Sequence, residues 1–128
     1  SMVSADCHVE TQFTGKTLLM PSDAATSLAL VLNELITNAI LHGFEGLHEG
    51  ALSVNVQQDG SQCVIHIQDN GVGMSHMPAP AQPSKRKHLG LAIVRTLVEK
   101  DLKGTLEFKD AKPKGTEVII QFPQIERG

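Results

Sequence analysis

Apolar and polar positions alternate from His8 to Phe13, break at Gly15, and give way to a short apolar run at Leu18–Met20, which predicts two short strands joined by a turn. Pro21-Ser22-Asp23 then supplies the polar residues and the fixed φ that start a helix. The run from Ala24 to Leu41, rich in Ala, Leu, Ile and Val, predicts a long helix ending at Gly43. Ser53–Gln57 and Val64–Gln68 alternate on either side of Asp59-Gly60, the pattern of a tight antiparallel hairpin. Between Asn70 and His88 glycine and proline interrupt every period, so a surface loop is expected there. Leu89, Ala92, Ile93 and Leu97 recur at helical spacing within His88–Lys100, and Gly104 closes that helix. Thr105–Phe108 and Glu117–Phe122 complete the chain as two strands joined by a Lys/Pro/Gly turn.

Strands therefore follow strands, with a helix between successive pairs. That order predicts an α+β fold, a two-layer α/β sandwich whose mixed, mostly antiparallel sheet carries its helices on one face, rather than a doubly wound parallel sheet. A length of 128 residues fits one domain spanning 1–128. Trp and Tyr are absent and only four Phe are present, so the core must be aliphatic.

The formal charge of -3 argues against a nucleic-acid partner, since phosphate backbones select clustered Lys and Arg. The densest basic stretch, Lys85-Arg86-Lys87-His88, falls in the expected loop and reads first as a solvated segment. Cys7 and Cys63 form no CxxC pair, which leaves neither a zinc site nor a disulfide framework and fits a reducing, cytoplasmic setting. No run of about 18 apolar residues is apparent, so direct membrane insertion is not expected. Ser1-Met2 has the look of a tag remnant on a fragment of a longer chain.

Within the first helix Asn33, Glu34, Thr37, Asn38 and His42 fall on one side of the cylinder as a narrow polar stripe. In so apolar a helix a carboxylate and an amide are costly to bury without partners, which a ligand or metal would provide. Asp69-Asn70-Gly71-Val72-Gly73 lies where a strand runs into the loop. Its aspartate can accept from an exocyclic amino group, and its glycines let the backbone approach a flat ligand. Leu89-Gly90-Leu91 opens the second helix, where free N–H groups and the helix dipole favour an anion. Gly15-Lys16-Thr17 is not a P-loop, because Glu10 stands where the motif requires glycine. The six histidines show no zinc spacing.

Taken in order, Asn33-Glu34-Leu35-Ile36-Thr37-Asn38-Ala39, Asp69-x-Gly71-x-Gly73, Leu89-Gly90-Leu91 and Gly115-Thr116 resemble the N, G1, G2 and final boxes of the GHKL ATPases of the Bergerat fold. The resemblance runs from about Pro21 to Pro123, and Leu89-Gly-Leu-Ala-Ile-Val-Arg-Thr-Leu-Val98 is most similar to sensor histidine kinases of the HisKA_2 type. It implies that the chain binds ATP with Mg²⁺ ligated by Asn38, that Glu34 orients or deprotonates the attacking group, and that Asp69 accepts from the adenine amino group. It further implies that Gly71 and Gly73 pass under the base, that Thr116 helps hold water beside it, and that Leu89, Gly90 and Leu91 contact the phosphates. Residues 74–88 would then form a lid. His42 stands where relatives carry a basic residue near the phosphates, and a structural histidine is an equal alternative.

The resemblance implies transfer of the γ-phosphoryl group to a histidine on a separate dimerisation domain, with a response regulator downstream. The alternatives are a serine kinase of the anti-sigma-factor type and a degenerate nucleotide-binding interaction module. Two departures stand out: His88 replaces the first glycine of the second box, and no Phe lies between Gly71 and Leu91, where many histidine kinases carry a lid aromatic.

Overall fold

A computed structural model describes residues 7–44, 46–73 and 85–124, with side chains of the second helix described from residue 90 onward. Most of the expected loop, residues 74–84, and Ser1-Met2 lie outside the described residues. Five strands form one sheet: β1 (His8–Gly15), β2 (Glu49–Asp59), β3 (Gln62–Asp69), β4 (Thr105–Asp110) and β5 (Thr116–Pro123). The spatial order is β1-β2-β3-β5-β4, with β1 parallel to β2 and every other pair antiparallel. Two helices, α1 (Ser22–Asn38) and α2 (Lys85–Thr96), each run on into a π-helical turn, Ala39–Gly43 and Leu97–Asp101. The α+β class and the mixed sheet are as the sequence pattern predicts.

The alternating residues sort cleanly between the two faces of the sheet. Val54 stands opposite Ile67, Ile65 opposite Ile120, and Ile120 opposite Leu106, so the period-two apolar positions form continuous rows. Leu52, Ile65, Ile67, Ile120 and Phe122 are buried there beneath Val31 and Leu35 of α1 and Val94, Val98 and Leu102 of the second helical segment. The opposite face carries Ser53, Gln57, His66, Gln68 and Gln121, polar residues that need no second helical layer. As expected from the composition, the core is almost entirely aliphatic; Phe44 and Phe122 are buried, and Phe108 packs half-buried against it.

The start of the chain departs from the expected pair of strands. Leu18–Met20 is not a strand, and β1 pairs in parallel with β2 across the intervening helix. A strand needs a neighbour, and the segment after Gly15 must leave the sheet edge to reach the helical layer. Leu18 and Met20 therefore tuck half-buried against the core while Leu19 points outward at 66% exposure. The hairpin is as expected except that its two loop residues are Gly60 and Ser61, because Asp59 still pairs with Gln62.

Helix boundaries follow local hydrogen bonding. The Pro21 carbonyl accepts from the Ala25 N–H at 2.9 Å, and Asp23 Oδ1 accepts from the Ala24 N–H at 2.8 Å, covering one of the unpaired amides of the first turn. At the far end of the second helical segment the left-handed residue is Lys103 (φ 57°), and the following Gly104 N–H donates to the Val98 carbonyl at 2.8 Å. α2 begins at Lys85, so Lys85–His88, expected in the loop, are helical. Lys and Arg are good helix formers and extend the helical period towards the N-terminus. The two helical segments are tied where Ser27 Oγ, buried, donates to Asp101 Oδ2 at 2.7 Å.

The stretch Ser22–Gly43 proves long and apolar enough, by length and composition, to cross a bilayer, contrary to the expectation that no such run exists. In this fold it is a core helix. Ala24, Leu28, Val31 and Leu35 are buried in the cluster that faces the sheet, and Asn33 and Thr37 lie exposed.

Ile120 is fully buried where three strands meet. Truncation by Ile120→Ala is expected to cost about 2–5 kcal/mol of unfolding free energy, read from urea denaturation.

Candidate functional site

The polar stripe of α1 divides once the fold forms. Asn33 and Thr37 face solvent, Glu34 turns towards α2, and Asn38 and His42 face a cleft at the end of the sheet. At about 100° per residue Glu34 and Asn38 stand round the cylinder from Asn33 and Thr37, and the wider π-helical turn after Asn38 resets the angle at which His42 follows. Asn38, Ala39, His42 and Gly43 then share one wall with Leu35. Asp69 and Thr116 form the floor, and Phe108, Val118 and Leu91 complete the cleft, which has a cavity volume of about 140 Å³. An apolar cavity of roughly 150 Å³ accepts a benzene ring, so the space is on the scale of a flat aromatic group.

Asp69 is the anchor. It is buried at 7% exposure, and its Oδ1 accepts from the Gly71 N–H at 2.9 Å and the Thr116 N–H at 3.2 Å. Burial pushes the carboxyl pKa above the usual carboxylate range, and the two backbone hydrogen bonds oppose that shift without cancelling it. A buried acceptor on the lining of an apolar cleft suits a ligand N–H.

The glycines act largely within the chain itself. The Gly43 carbonyl accepts from the Val72 N–H at 2.8 Å, and a Cβ on Gly71 would overlap that same carbonyl. Gly115, at φ 104°, packs its Cα side on the Asp69 carbonyl, where any side chain would collide. Gly73 is buried beside the Gly115 carbonyl. The close approach expected between Gly71 and a ligand is thus already made to Gly43.

Asn38 carries a second signal. Its Nδ2 is buried and, among the described residues, has no hydrogen-bond partner. An unsatisfied buried amide costs about 1–3 kcal/mol, which a ligand would relieve. Oxygen and nitrogen of an amide are assigned by their partners, so the same group can equally present its oxygen to a cation.

Leu89-Gly90-Leu91 does not open a helix. These residues are the fifth to seventh of α2, so their N–H groups are committed to carbonyls one turn back. Free N–H groups at 89–91 are therefore not part of the site. Leu91 contributes its side chain to the cleft, and the Leu89 side chain lies outside the described residues. Gly90 has a different contact: a Cβ there would run into the Glu34 carboxylate. Its missing side chain gives Glu34 a place against the α2 backbone.

Sequence reasoning missed Phe108, Leu35, Ala39 and Val118 as cleft residues, because their period-two or helical spacing is that of ordinary core. Among the described residues no group of three or more His, Cys, Asp or Glu side chains could hold a metal ion.

Residues 23–126 match the family described as histidine kinase-, DNA gyrase B-, and HSP90-like ATPase. The chain is 34% identical over 128 residues to the sensor histidine kinase PdtaS of Mycobacterium tuberculosis, covering 99% of this chain and 25% of that protein. It is 26% identical over 106 residues to the anti-sigma F factor of Clostridium kluyveri, covering 77% of this chain and 70% of that protein. The solved histidine kinase domain of the Erythrobacter litoralis EL346 blue-light activated histidine kinase superposes with a TM-score of 0.76 at 26% identity, over 91% of this chain and 52% of that one. The chain thus spans about a quarter of the length of the PdtaS kinase it matches. With the family profile covering the segment that holds Asn38, Asp69 and Thr116, the chain belongs to the histidine kinase-, DNA gyrase B- and HSP90-like ATPases.

Proposed function

We propose that this chain is the ATP-binding catalytic domain of a sensor histidine kinase, and that it passes the γ-phosphoryl group of ATP to a histidine on a separate dimerisation domain, with a response regulator downstream. The observation that carries the reading is the buried Asp69 carboxylate, held through Oδ1 on the floor of an apolar cleft. Oδ2 would accept from the exocyclic amino group of adenine, with Leu35, Ala39, Leu91, Phe108 and Val118 enclosing the ring. The Gly71 and Thr116 N–H groups hold that carboxylate in place, and Gly73 packs beside the Gly115 carbonyl.

Asn38 and His42 lie on the other wall, towards the end where phosphates would extend. Mg²⁺ fits the residues present: it prefers few protein ligands, taking its remaining oxygens from phosphate and water, and the Asn38 amide is the buried group with bonding capacity to spare. Its charge would offset that building on the phosphates during transfer. Glu34, seated against Gly90, would orient or deprotonate the acceptor. A cytoplasmic setting fits both the free thiols and the need for ATP.

The likeness to an anti-sigma F factor, which this chain matches over most of that protein's length, keeps a serine kinase as the second reading. Acid treatment separates them, since phosphohistidine is acid-labile and phosphoserine is not; an acid-stable product formed with the parent chain would overturn the histidine kinase reading.

Calorimetric titration with ADP, with and without Mg²⁺, is expected to show saturable binding that Asp69→Asn weakens roughly ten- to a hundredfold, the scale of one hydrogen bond to a charged group. Asn38→Asp is expected to change the Mg²⁺ dependence. Absence of binding at millimolar ADP would reject nucleotide binding altogether.

Asp69→Asn should also stabilise the empty domain at neutral pH. The folded carboxyl has a raised pKa, so its contribution to stability is fully present below the unfolded pKa and is lost as pH rises through the folded value. The asparagine carries no such loss. Thermal melts at pH 4 and pH 7.5 check this: the variant's advantage in Tm should appear only at the higher pH.

Gly90→Ala is expected to favour the α2 helix by up to ~1 kcal/mol while displacing the Glu34 carboxylate. ADP affinity should hold within about twofold. Autophosphorylation of the complete kinase should fall at least ~10-fold, given that general acid–base groups contribute about 10²–10⁴.

A further inference from the structure

The hairpin of β2 and β3 ends in an unusual way. Asp69 is the last β3 residue in register, opposite Leu52, and the next pair along would be Asn70 with Ala51. In a continuing antiparallel ladder that pair would exchange two backbone hydrogen bonds. Only one is backbone to backbone: the Asn70 N–H donates to the Ala51 carbonyl at 3.1 Å. The return bond, from the Ala51 N–H, goes to the Asn70 side-chain Oδ1 at 2.7 Å. The side chain thus takes the place of its own main-chain carbonyl.

We infer that Asn70 is a positioning residue for adenine selection: by closing the ladder with its side chain, it releases the main chain to turn immediately after Asp69 and so aims the Asp69 carboxylate. This rests on the nucleotide reading above. The released chain is what brings the Gly71 N–H back onto Asp69 Oδ1 and carries Val72 to the Gly43 carbonyl. With no acceptor on the Asn70 side chain, the Ala51 N–H would draw the main-chain carbonyl of residue 70 into the ladder. The strand would then run one residue further, and the Gly71 N–H would turn away from Oδ1. Asp69 would keep its bond from the Thr116 N–H but lose the one that fixes its rotation. Asn70 and Ala51 are both solvent-exposed, so the effect passes through the turn and not through the core.

The test uses two nucleotides that differ at the group Asp69 would bind: ADP, with a 6-amino donor, and IDP, with a 6-carbonyl acceptor. Both are titrated calorimetrically into the parent chain, Asn70→Ala and Asn70→Asp. The parent should prefer ADP. In Asn70→Ala the ADP affinity should fall about 3- to 10-fold, the scale of one exposed hydrogen bond, while IDP binding holds, so that the ratio shrinks. Asn70→Asp keeps an oxygen at the same place and should retain the ratio. An equal fall for both nucleotides, an unchanged ratio in Asn70→Ala, or a shrunken ratio in Asn70→Asp would each overturn the inference while leaving nucleotide binding intact. A parent that does not distinguish ADP from IDP would overturn adenine recognition by Asp69, and this inference with it.

Discussion

One carboxylate oxygen holds the site together. Oδ1 of Asp69 accepts from the turn after β3 and from the first residue of β5, two strands that are neighbours in the sheet yet 47 residues apart between Asp69 and Thr116. Its burial is unfavourable and raises its pKa, against the two backbone hydrogen bonds that lower it. Such a group persists only where the surrounding structure over-determines it. Here the over-determination is visible: Gly115 packs on the Asp69 carbonyl from one side, Gly71 packs on the Gly43 carbonyl from the other, and the aliphatic rows of β3 and β5 fix both strands from below.

The same constraint explains why the cleft lies where it does. A two-layer fold with a polar outer sheet face can enclose a ligand only between its helices and the sheet. Along most of its length that space is filled by Val31, Leu52, Ile65, Val98 and Ile120. At the end beside Asp69 the π-helical turn swings Ala39–Gly43 across, and small or half-buried residues leave the core open. The opening is a continuation of the core rather than a separate cavity. Its walls are accordingly apolar apart from Asn38 and His42, and specificity must come from those and the few polar atoms at its floor.

Much of this was legible in the sequence because periodicity reports which face is buried. The strands from Ser53 to Gln68 and from Thr105 to Phe122, and the helix through Val31 and Leu35, emerge directly from it. Parallel pairing of β1 with β2 was not legible, since pairing partners are set by the whole chain and β1 carries almost no buried face. Asp69 and Asn38 could be picked out as polar groups in apolar surroundings, and Glu34 by its place in the stripe. Phe108 could not, because a cleft wall that continues the core has the same pattern as core. Asn70 was hidden for another reason. Its work is done by a side chain imitating a backbone carbonyl, which leaves no trace in hydrophobic pattern.

The helical state of Lys85–His88 changes how the labour within the cleft is divided. Were Leu89-Gly90-Leu91 the first turn, their amides would meet the phosphates and Gly90 would be needed for that approach. Inside α2 those amides are already bonded to carbonyls one turn back. What remains at 90 is the requirement for room, and the Glu34 carboxylate fills it. On the proposed reading the base is then held by the sheet, through Asp69, while the acceptor-facing carboxylate is held by the packing of α1 on α2. Base recognition and transfer chemistry would answer to different parts of the fold, so a shift of α2 along α1 would move Glu34 without disturbing Asp69.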